Sequence, residues 1–449
     1  MQSVATRNGQ VEGIDDVESA GIGVRVLVDG AWGFACDRRL TDEGARDASL
    51  RACAFARAAP GGHERSLAPV EPQRGRYATP VERDPFDISV AEKVELCLRA
   101  EKGLRHEDVH VTSASVRAQR ERRFFASSDG AAIEQEFVEC GAGIDAIAAR
   151  DGLSQIRSYP SAHGGSSAQA GWEYVEALAL EREAPRVGEQ AAALLRADRC
   201  PAAVTTVVVD AEQVQLQVHE SVGHPTELDR VYGSEAAYAG TSFLKADDLG
   251  SLRYGSESMN ITADPTTPGG LGTFAFDDEG VPAERTAIVE AGVLRGFLTS
   301  RETSARLGTG RGGSMRADGW FRMPLVRMTN LHLEPGEGTL EDLIAGVDEG
   351  VYLETNKSWS IDDKRLNFQF GTQIAWEIKR GKLGRMLRDA TYTDVTPRFW
   401  GSLDAVAGAG EWRLGGLTNC GKGQPGQHAH VSHGAAPARF RNVQIGVFA

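Results

Sequence analysis

The segment His219-Glu220-Ser221-Val222-Gly223-His224 constrains this chain most, because it places two imidazoles and a carboxylate within six residues. Imidazole nitrogen is a good ligand for zinc and other borderline metals, and a catalytic zinc site has about three protein ligands and an open position for water. Glu220 directly follows the first histidine, so it is predicted to act as the general base that accepts a proton from that water. The segment therefore predicts a metal centre with His219 and His224 as ligands.

The two histidines are one position further apart than in the H-E-x-x-H motif. At roughly 100° per residue, the longer step leaves their side chains about 140° apart on an ideal helix, which is too far for easy chelation. A single π-type turn would place them on one face, and such turns occur mostly at functional sites. Pro225 fits this geometry because it has no N–H to lose where the helical ladder is interrupted, although a proline could equally kink or end the helix.

Length and charge set the broad class of the protein. A chain of 449 residues predicts two or three domains, and a net charge of -14 argues against a nucleic-acid partner, which requires a basic face. The longest apolar runs, such as residues 203–209, are too short to span a bilayer, and the first residues lack a basic region followed by an apolar one. We therefore expect a cytoplasmic protein that does not associate with a membrane.

The six cysteines are scattered without C-x-x-C spacing, which disfavours a disulfide framework or a zinc ribbon. Five of them are interpreted as small buried hydrophobic residues. The sixth, Cys420, lies in the segment Asn419-Cys420-Gly421-Lys422 near the end of the chain. A thiolate is a strong zinc ligand, and Lys422 is predicted to help keep the thiol ionised. Two histidines and one cysteine form a known type of open catalytic zinc shell, so Cys420 is the candidate third ligand.

Periodicity predicts an α+β protein in which strands and helices mix in the first half and strands dominate the second. We predict an N-terminal α/β domain over residues 1–199, with an antiparallel sheet and helices, and a C-terminal, mostly β domain over residues 200–449 that carries the metal site. The elements predicted for the first half are a hairpin over 21–36, a helix capped by Thr41, a loop over 60–85, a helix over 89–104, strands over 109–117, 122–127 and 133–140, a mobile loop over 157–171 near the site, and a solvated connecting helix over 173–199.

The second half is predicted to consist mainly of hairpins. The predicted elements are a strand over 204–209, turns over 274–282 and 289–294, a helix capped by Thr339, and strands over 350–354, 369–378 and 440–447. Many strands leave many sheet edges, and an extended peptide can add to such an edge through its backbone. The many predicted sheet edges therefore indicate that the protein binds extended, unstructured peptides.

The chain resembles the TldD/PmbA family of cytoplasmic metallopeptidases, and specifically the metal-bearing TldD side. The resemblance rests on four segments in the family's order, which span almost the whole chain: Gly23 to Phe34, His219 to Asp229, Arg327-Met328-Thr329-Asn330, and Asn419 to Lys422. It implies an α/β N-terminal domain, a β-rich C-terminal domain that carries the metal, and proteolysis of unfolded peptides. It also implies a dimer, either with a PmbA-like (TldE) relative that has lost the metal motif or with a second copy of the same chain.

Other residues near these motifs leave alternatives open. Pro225 stands where the family is expected to have glycine, and His428, His430 and His433 lie in a tail that is either a polar loop or a source of alternative ligands. Glu227 and Asp229 are either carboxylates that orient the ligand imidazoles or ordinary surface charges, and Ser221 is interpreted as a hydroxyl on the surface of a helix. Which alternative holds for each residue depends on where the folded chain places its side chain.

The predicted function is that of a zinc-type metallopeptidase that hydrolyses unstructured peptides or unfolded protein segments. His219, His224 and Cys420 are predicted to hold the metal, which is zinc, iron or another divalent transition metal. A metal-activated water is the predicted nucleophile, and Glu220 is the predicted general base. The alternative is a non-catalytic subunit that binds or scaffolds peptides and retains a structural metal. Glu220 disfavours this alternative, because a carboxylate that is not a ligand has little use beside a purely structural metal.

Overall fold

A computed structural model of the chain describes residues 1–59, 65–423 and 426–447. Strands and helices alternate up to residue 194. The elements of this half are β1 Gln2–Arg7, β2 Gln10–Asp16, β3 Ile22–Val28, β4 Ala31–Asp37, α1 Asp42–Ala58, β5 Arg74–Ala78, α2 Val90–Leu104, β6 Val109–Ala126, β7 Ala132–Arg150, β8 Leu153–Tyr159, β9 Ser166–Ala168, α3 Trp172–Ala177 and α4 Leu180–Leu194.

A seven-stranded sheet forms the centre of this half, in the order β2-β1-β6-β7-β5, with β8 and β9 also paired to β7. Its pairings are antiparallel, as predicted, except that β5 runs parallel to β7. The prediction of a loop over 60–85 is wrong at β5, and its residues 60–64 lie outside the described part of the chain. β6 and β7 are single long strands where shorter ones were predicted, because their antiparallel pairing continues without a break from Val111 and Ile147 to Ala126 and Ala132.

The hairpin of β3 and β4 forms its own two-stranded sheet, and α1 packs on it. The predicted hairpin is confirmed: its turn residues Asp29 and Gly30 have positive φ, as a tight two-residue hairpin requires. Thr41 caps α1 by accepting a hydrogen bond from the backbone N–H of Gly44 at 3.1 Å. This unit contacts the second half of the chain, since Arg25 pairs with Glu279 at 2.9 Å.

The helix predicted over 173–199 is broken into α3 and α4. Ala179 has φ of +48°, a left-handed conformation that ends one helix and starts the next in a new direction. The prediction of a solvated connecting helix is also wrong. One face of α4, including Ala184, Val187 and Ala191, is fully buried against the seven-stranded sheet and α2, so this segment belongs to the first hydrophobic core.

Strands dominate after residue 200, as predicted. The remaining elements are β10 Asp198–Arg199, β11 Ala203–Val209, α5 Ala211–Val218, a π-helical turn His219–Gly223, a 3-10 turn His224–Thr226, α6 Leu228–Val231, a 3-10 turn Ala246–Asp248, β12 Ile261–Ala263, β13 Thr286–Glu290, β14 Val293–Leu294, α7 Arg301–Leu307, β15 Met315–Arg316, β16 Leu325–Val326, β17 Asn330–Leu333, α8 Leu340–Ala345, β18 Glu349–Ile361, β19 Asn367–Lys379, β20 Lys382–Arg388, β21 Thr391–Val395, α9 Thr396–Gly401, β22 Leu403–Val406, β23 Arg413–Gly423, β24 Gly426–Ala435 and β25 Ala438–Ile445.

Two larger sheets organise this half. The first has the order β10-β20-β19-β18-β11-β25-β21, with β22 paired to β25, and the second has the order β14-β13-β12-β17-β24-β23. The short helix α5 contacts β18 of the first sheet and β17, β23 and β24 of the second, so it lies between them. This position fixes the segment that follows α5, which carries both histidines of the motif.

The fold is therefore α+β with a β-rich C-terminal part. We propose a domain boundary between residues 199 and 200, because buried hydrophobic side chains form one cluster between Val4 and Ala191 and another between Cys200 and Ile445. All six cysteines are free thiols, and Cys36 and Cys53 are only half-buried, which corrects the prediction for these two. Within the described residues, no helix is long and apolar enough to cross a membrane.

Candidate metal centre

The π-helical turn after α5 brings the two motif histidines together. Asp210 caps α5 by accepting a hydrogen bond from the N–H of Gln213 at 2.8 Å. At the other end of the helix, the N–H of His224 bonds to the carbonyl of His219, five residues earlier. This wider turn places the two rings 4.9 Å apart, centroid to centroid, and almost perpendicular. The π-type turn predicted from the spacing of the histidines is confirmed, and Pro225 enters the 3-10 turn that follows it.

Cys420 reaches the same point from the other end of the chain. It lies on β23, immediately after an irregularity in the pairing with β24 between Leu417 and Cys420, and such bulges re-aim a side chain. The candidate ligand atoms of His219, His224 and Cys420 all lie within 4.8 Å of one another, and all three residues are buried. Among the described residues, these three form the cluster of donors suited to a metal ion.

The geometry and chemistry of this donor set fit zinc. The Sγ atom of Cys420 lies 3.9 Å from Nε2 of His224, close to the separation of roughly 3–4 Å expected for two ligands of one tetrahedral zinc with bonds of about 2.0–2.3 Å. Burial lowers the pKa of His219 and lowers that of His224 well below its ordinary value. Both imidazoles are therefore neutral at pH 7, as a metal ligand must be.

The second nitrogen of each imidazole is held by a neighbouring side chain. Nδ1 of His224 lies 3.0 Å from Oε2 of Glu227, and Nδ1 of His219 lies 2.7 Å from Nε2 of His433. The carboxylate contact fixes the tautomer of His224 and leaves its Nε2, which faces Cys420, free to bind metal, and the contact with His433 fixes the ring orientation of His219. Glu227 is thus an orienting carboxylate and not a surface charge, which resolves one alternative left open by the sequence.

Arg327 is the cation that contacts the Cys420 sulfur. Its Nη2 donates to Sγ at 3.2 Å and also bonds to the Cys420 carbonyl. Burial alone would raise the pKa of the Cys420 thiol, but the charge of Arg327 and the contact with His224 outweigh it, so that the pKa lies below its ordinary value. The prediction assigned this role to Lys422, and that assignment is wrong.

Lys422 instead neutralises a buried group of carboxylates beside the centre. Its Nζ lies 2.7 Å from Asp229, 3.3 Å from Glu227 and 3.4 Å from Glu235. Burial of a lysine is costly unless its charge is paired, and these three carboxylates provide that pairing. Asp229 therefore acts on the imidazoles only indirectly, through Lys422 and Glu227.

Glu220 is buried beside the histidines and is held by an unexpected partner. Its Oε2 pairs with Nη1 of Arg365, which lies in the turn between β18 and β19. Sequence reasoning missed Arg365, because 145 residues separate it from Glu220 and nothing in its local sequence marks it. The carboxylate therefore lies beside the candidate ligands and is fixed in place by a charged hydrogen bond.

Ser221 and the tail histidines differ from the sequence predictions. Ser221 is fully buried, not on a surface: its Oγ donates to the Gln217 carbonyl at 2.6 Å and accepts from Trp400 Nε1 at 2.8 Å, which anchors the π-helical turn. The tail is not a polar loop, because His428, His430 and His433 all lie on β24. His433 reaches the centre, whereas His430 pairs with Glu139 and the N–H of His428 bonds to Asp318.

Comparisons with known proteins cover the whole chain. Three family models match in succession: PmbA/TldA metallopeptidase domain 1 over residues 1–56, the central domain over 83–198 and the C-terminal domain over 202–447. The metalloprotease MJ0996 of Methanocaldococcus jannaschii is 29% identical over 97% of this chain and 93% of its own length, and a metalloprotease of Methanothermobacter thermautotrophicus is 30% identical over 99% and 92%.

Two further similarities bear on the metal and on the fold. A zinc metalloprotease TldD homolog of Saccharolobus solfataricus is 25% identical over 54% of this chain and 51% of its own length. The crystal structure of TldE from Thermococcus kodakarensis matches with a TM-score of 0.73 over 99% of this chain and 95% of that one, at 15% identity. At that identity, the second similarity establishes the fold alone.

Proposed function

The chain belongs to the PmbA/TldD family of metallopeptidases, and on this basis we propose that it hydrolyses peptide bonds with a metal held by His219, His224 and Cys420. The observation that carries the proposal is the convergence of these three buried donors beside Glu220, a carboxylate that is not one of them. Three protein ligands are typical of a catalytic zinc site, whereas structural zinc sites almost always have four. The same count argues against the alternative of a non-catalytic subunit with a structural metal.

Zinc is the metal that we propose, because its preferred ligands are imidazole nitrogen and thiolate sulfur. The name of the Saccharolobus relative supports this choice. Iron or another divalent transition metal would accept the same ligands, so metal analysis of the purified protein decides between them. A zinc ion in this position would lower the pKa of a bound water to about 7 and polarise the scissile carbonyl group.

Glu220 moves the proton in the proposed reaction. Its carboxylate accepts a proton from the attacking water while the water oxygen bonds to the carbonyl carbon of the peptide. The same proton then passes to the amide nitrogen as the carbon–nitrogen bond breaks, and the second proton of the water stays on the new carboxyl group, so that the products are a carboxylic acid and an amine. His433 and Glu227 keep the ligand imidazoles in position during these steps, because each holds the ring nitrogen that faces away from the centre.

We propose that the substrates are extended, unstructured peptides. β23, which carries Cys420, is the end strand of the six-stranded sheet, so a ligand of the candidate centre lies at a sheet edge. An extended chain binds beside such an edge through its backbone, and this mode of binding tolerates many sequences. A folded protein would first have to release a strand, at a cost of local unfolding.

The expected result is that the metal-loaded protein cleaves an unfolded protein and spares the same protein when it is folded. We would incubate one disulfide-containing protein in its native form and in its reduced, unfolded form, and identify the products by mass spectrometry, with and without a chelator. Cleavage at several unrelated sequences in the unfolded form is expected. Equal rates on both forms, or cleavage at one strict motif, would contradict the proposed substrate class. An absence of chelator-sensitive cleavage of either form would contradict the proposed peptidase activity.

We also propose that the protein works as a dimer, with a PmbA/TldE-like relative or with a second copy of the chain. The match to the PmbA/TldA family models supports this proposal, as does the presence of exposed edge strands such as β2. Light scattering coupled to gel filtration of the chain alone, and of the chain coexpressed with such a relative, tests it. A fully active monomer at assay concentration is the result that would disprove it.

A further inference from the structure

The turn that carries Arg365 has an unusual backbone. Residues 362–366 connect β18 to β19, and Arg365 has φ of +63°, in the left-handed region that residues other than glycine seldom adopt. Non-glycine residues persist in this conformation only where the surrounding structure imposes it. Ten other non-glycine residues of the described chain, such as Arg380, also have positive φ, so what distinguishes Arg365 is its contact with Glu220.

The surrounding structure does impose this conformation. The N–H of Arg365 bonds to the Asp362 carbonyl at 2.8 Å, and the Arg365 carbonyl accepts from the Thr396 hydroxyl at 2.8 Å. The flanking residues are held as well, since the Asp363 carbonyl accepts from Arg230 at 2.9 Å and the Lys364 carbonyl accepts from the N–H of Phe243 at 2.9 Å. The turn is therefore fixed to the segment that follows the metal-binding motif, and to α9.

The Arg365 guanidinium has more donors than acceptors. It carries five N–H groups, and the acceptor found for it among the described residues is Glu220. Its Nε atom is buried and has no hydrogen-bond partner in the described part of the chain. The side chain is 18% exposed, so it also reaches the solvent side of the centre. The guanidinium therefore has N–H groups left over, in addition to the one that holds Glu220, from which a substrate oxygen can accept a hydrogen bond.

We propose that Arg365 is a catalytic residue that donates a hydrogen bond to the carbonyl oxygen of the scissile peptide bond. This inference rests on the proposed function of the same site. One N–H group holds the Glu220 carboxylate, and another faces the oxygen on which negative charge develops as water attacks the carbonyl carbon. The strained turn fixes the guanidinium before the substrate arrives, as electrostatic stabilisation of a transition state requires.

A purely structural role is the alternative. In that case Arg365 would only neutralise the buried Glu220 carboxylate, and its loss would affect stability and the position of the base. The two roles differ in what they predict for a stable ligand that mimics the tetrahedral transition state. A donor aimed at the developing charge strengthens binding of such a mimic more than binding of the substrate, whereas a structural ion pair affects both about equally.

The experiment compares Arg365→Ala and Arg365→Lys with the wild-type protein, all loaded with zinc. We expect kcat to fall by about 10²–10³-fold in Arg365→Ala with little change in KM or metal content, and the affinity for a phosphinic peptide to fall by a similar factor. Arg365→Lys should recover only part of this loss, because a lysine lacks the fork geometry.

Arg380→Ala is the matched control, since Arg380 is an exposed arginine with φ of +49° in the turn after β19, and it should leave kcat, KM and phosphinic-peptide affinity unchanged.

Arg365→Gly separates folding from function. Glycine adopts positive φ without strain, so this variant should unfold at a temperature no lower than that of Arg365→Ala while losing the same affinity for the phosphinic peptide. Equal affinity of the wild-type protein and Arg365→Ala for the phosphinic peptide would overturn the role of Arg365, whether or not the protein is a peptidase. If the wild-type protein cleaves no peptide while its affinity for the phosphinic peptide still depends on Arg365, the proposed function fails and the contact with the ligand stands.

Discussion

Glu220→Gln is expected to lower turnover of an unfolded substrate by about 10²-fold or more while the protein keeps its metal and its fold. Glutamine has nearly the same shape as glutamate but cannot accept the proton of the attacking water. The metal should remain, because Glu220 is not among the three converging donors. Metal content, circular dichroism and single-turnover kinetics of the purified variant measure the three quantities separately.

Glu227→Gln is the matched control, because it changes the same atoms in a neighbouring buried carboxylate. Glu227 contacts the imidazole of His224 and the ammonium group of Lys422, so its proposed role is to orient a metal ligand and not to accept a proton. Its replacement should weaken metal binding by about 10–100-fold, and turnover of the fully loaded variant should fall less than in Glu220→Gln. If Glu220→Gln is fully active instead, the general base lies elsewhere, and Glu227 is the first candidate.

The spacing of the two histidines was the most informative feature of the sequence. Five positions do not fit one face of an α-helix, so the chemistry of the motif required a wider turn, and His219–Gly223 forms one. The proximity of Cys420 to both histidines was also predicted correctly, because two imidazoles call for a third donor and a thiolate is a suitable one. These two features could therefore be predicted from the sequence, because the chemistry of metal ligands allows few arrangements of the side chains.

The residues that the sequence did not reveal act through tertiary contacts. Arg327 reaches the Cys420 sulfur, His433 holds His219, and Arg365 holds Glu220, each from a separate strand or turn. A basic residue or a histidine on a strand has no local signature that distinguishes these roles from ordinary surface polarity. Cys420 and Lys422 are two positions apart, so their side chains lie on the same face of β23. The assignment of the thiol's cation to Lys422 nevertheless failed, because the Lys422 ammonium pairs with three carboxylates from another segment of the chain.

The same limit applies to the fold. Capping residues and turn signals located α1, α2, α8 and the β3–β4 hairpin, because these signals act within a few residues. The break at Ala179 and the full lengths of β6 and β7 depend instead on contacts with parts of the chain outside the local segment, such as the continuous pairing of β6 with β7. An alanine with φ of +48° has no sequence signature, since alanine is the best intrinsic helix former.

Cys420→Ser is expected to lower the affinity for zinc by more than about 100-fold and to abolish activity at limiting metal. Mutation of a residue that only contacts a metal ligand costs about 10–100-fold in affinity, and loss of the ligand itself should cost more. A serine hydroxyl is a poor zinc ligand at pH 7, and its replacement of the thiolate also leaves the Arg327 charge without its partner. Competition with a chromogenic chelator measures the affinity of each variant.

Cys97→Ser is the matched control for Cys420→Ser, because Cys97 is fully buried within α2, in the other hydrophobic cluster. The control should lose stability, since it buries a hydroxyl in place of a thiol, but keep wild-type affinity for zinc. The comparison therefore separates a general cost of replacing a buried cysteine from loss of a ligand. If Cys420→Ser retains both wild-type metal content and activity, the three-ligand arrangement is wrong. His433 then becomes the first candidate for the third ligand, because it is the tail histidine that contacts His219, with its Nε2 2.7 Å from Nδ1 of that ring.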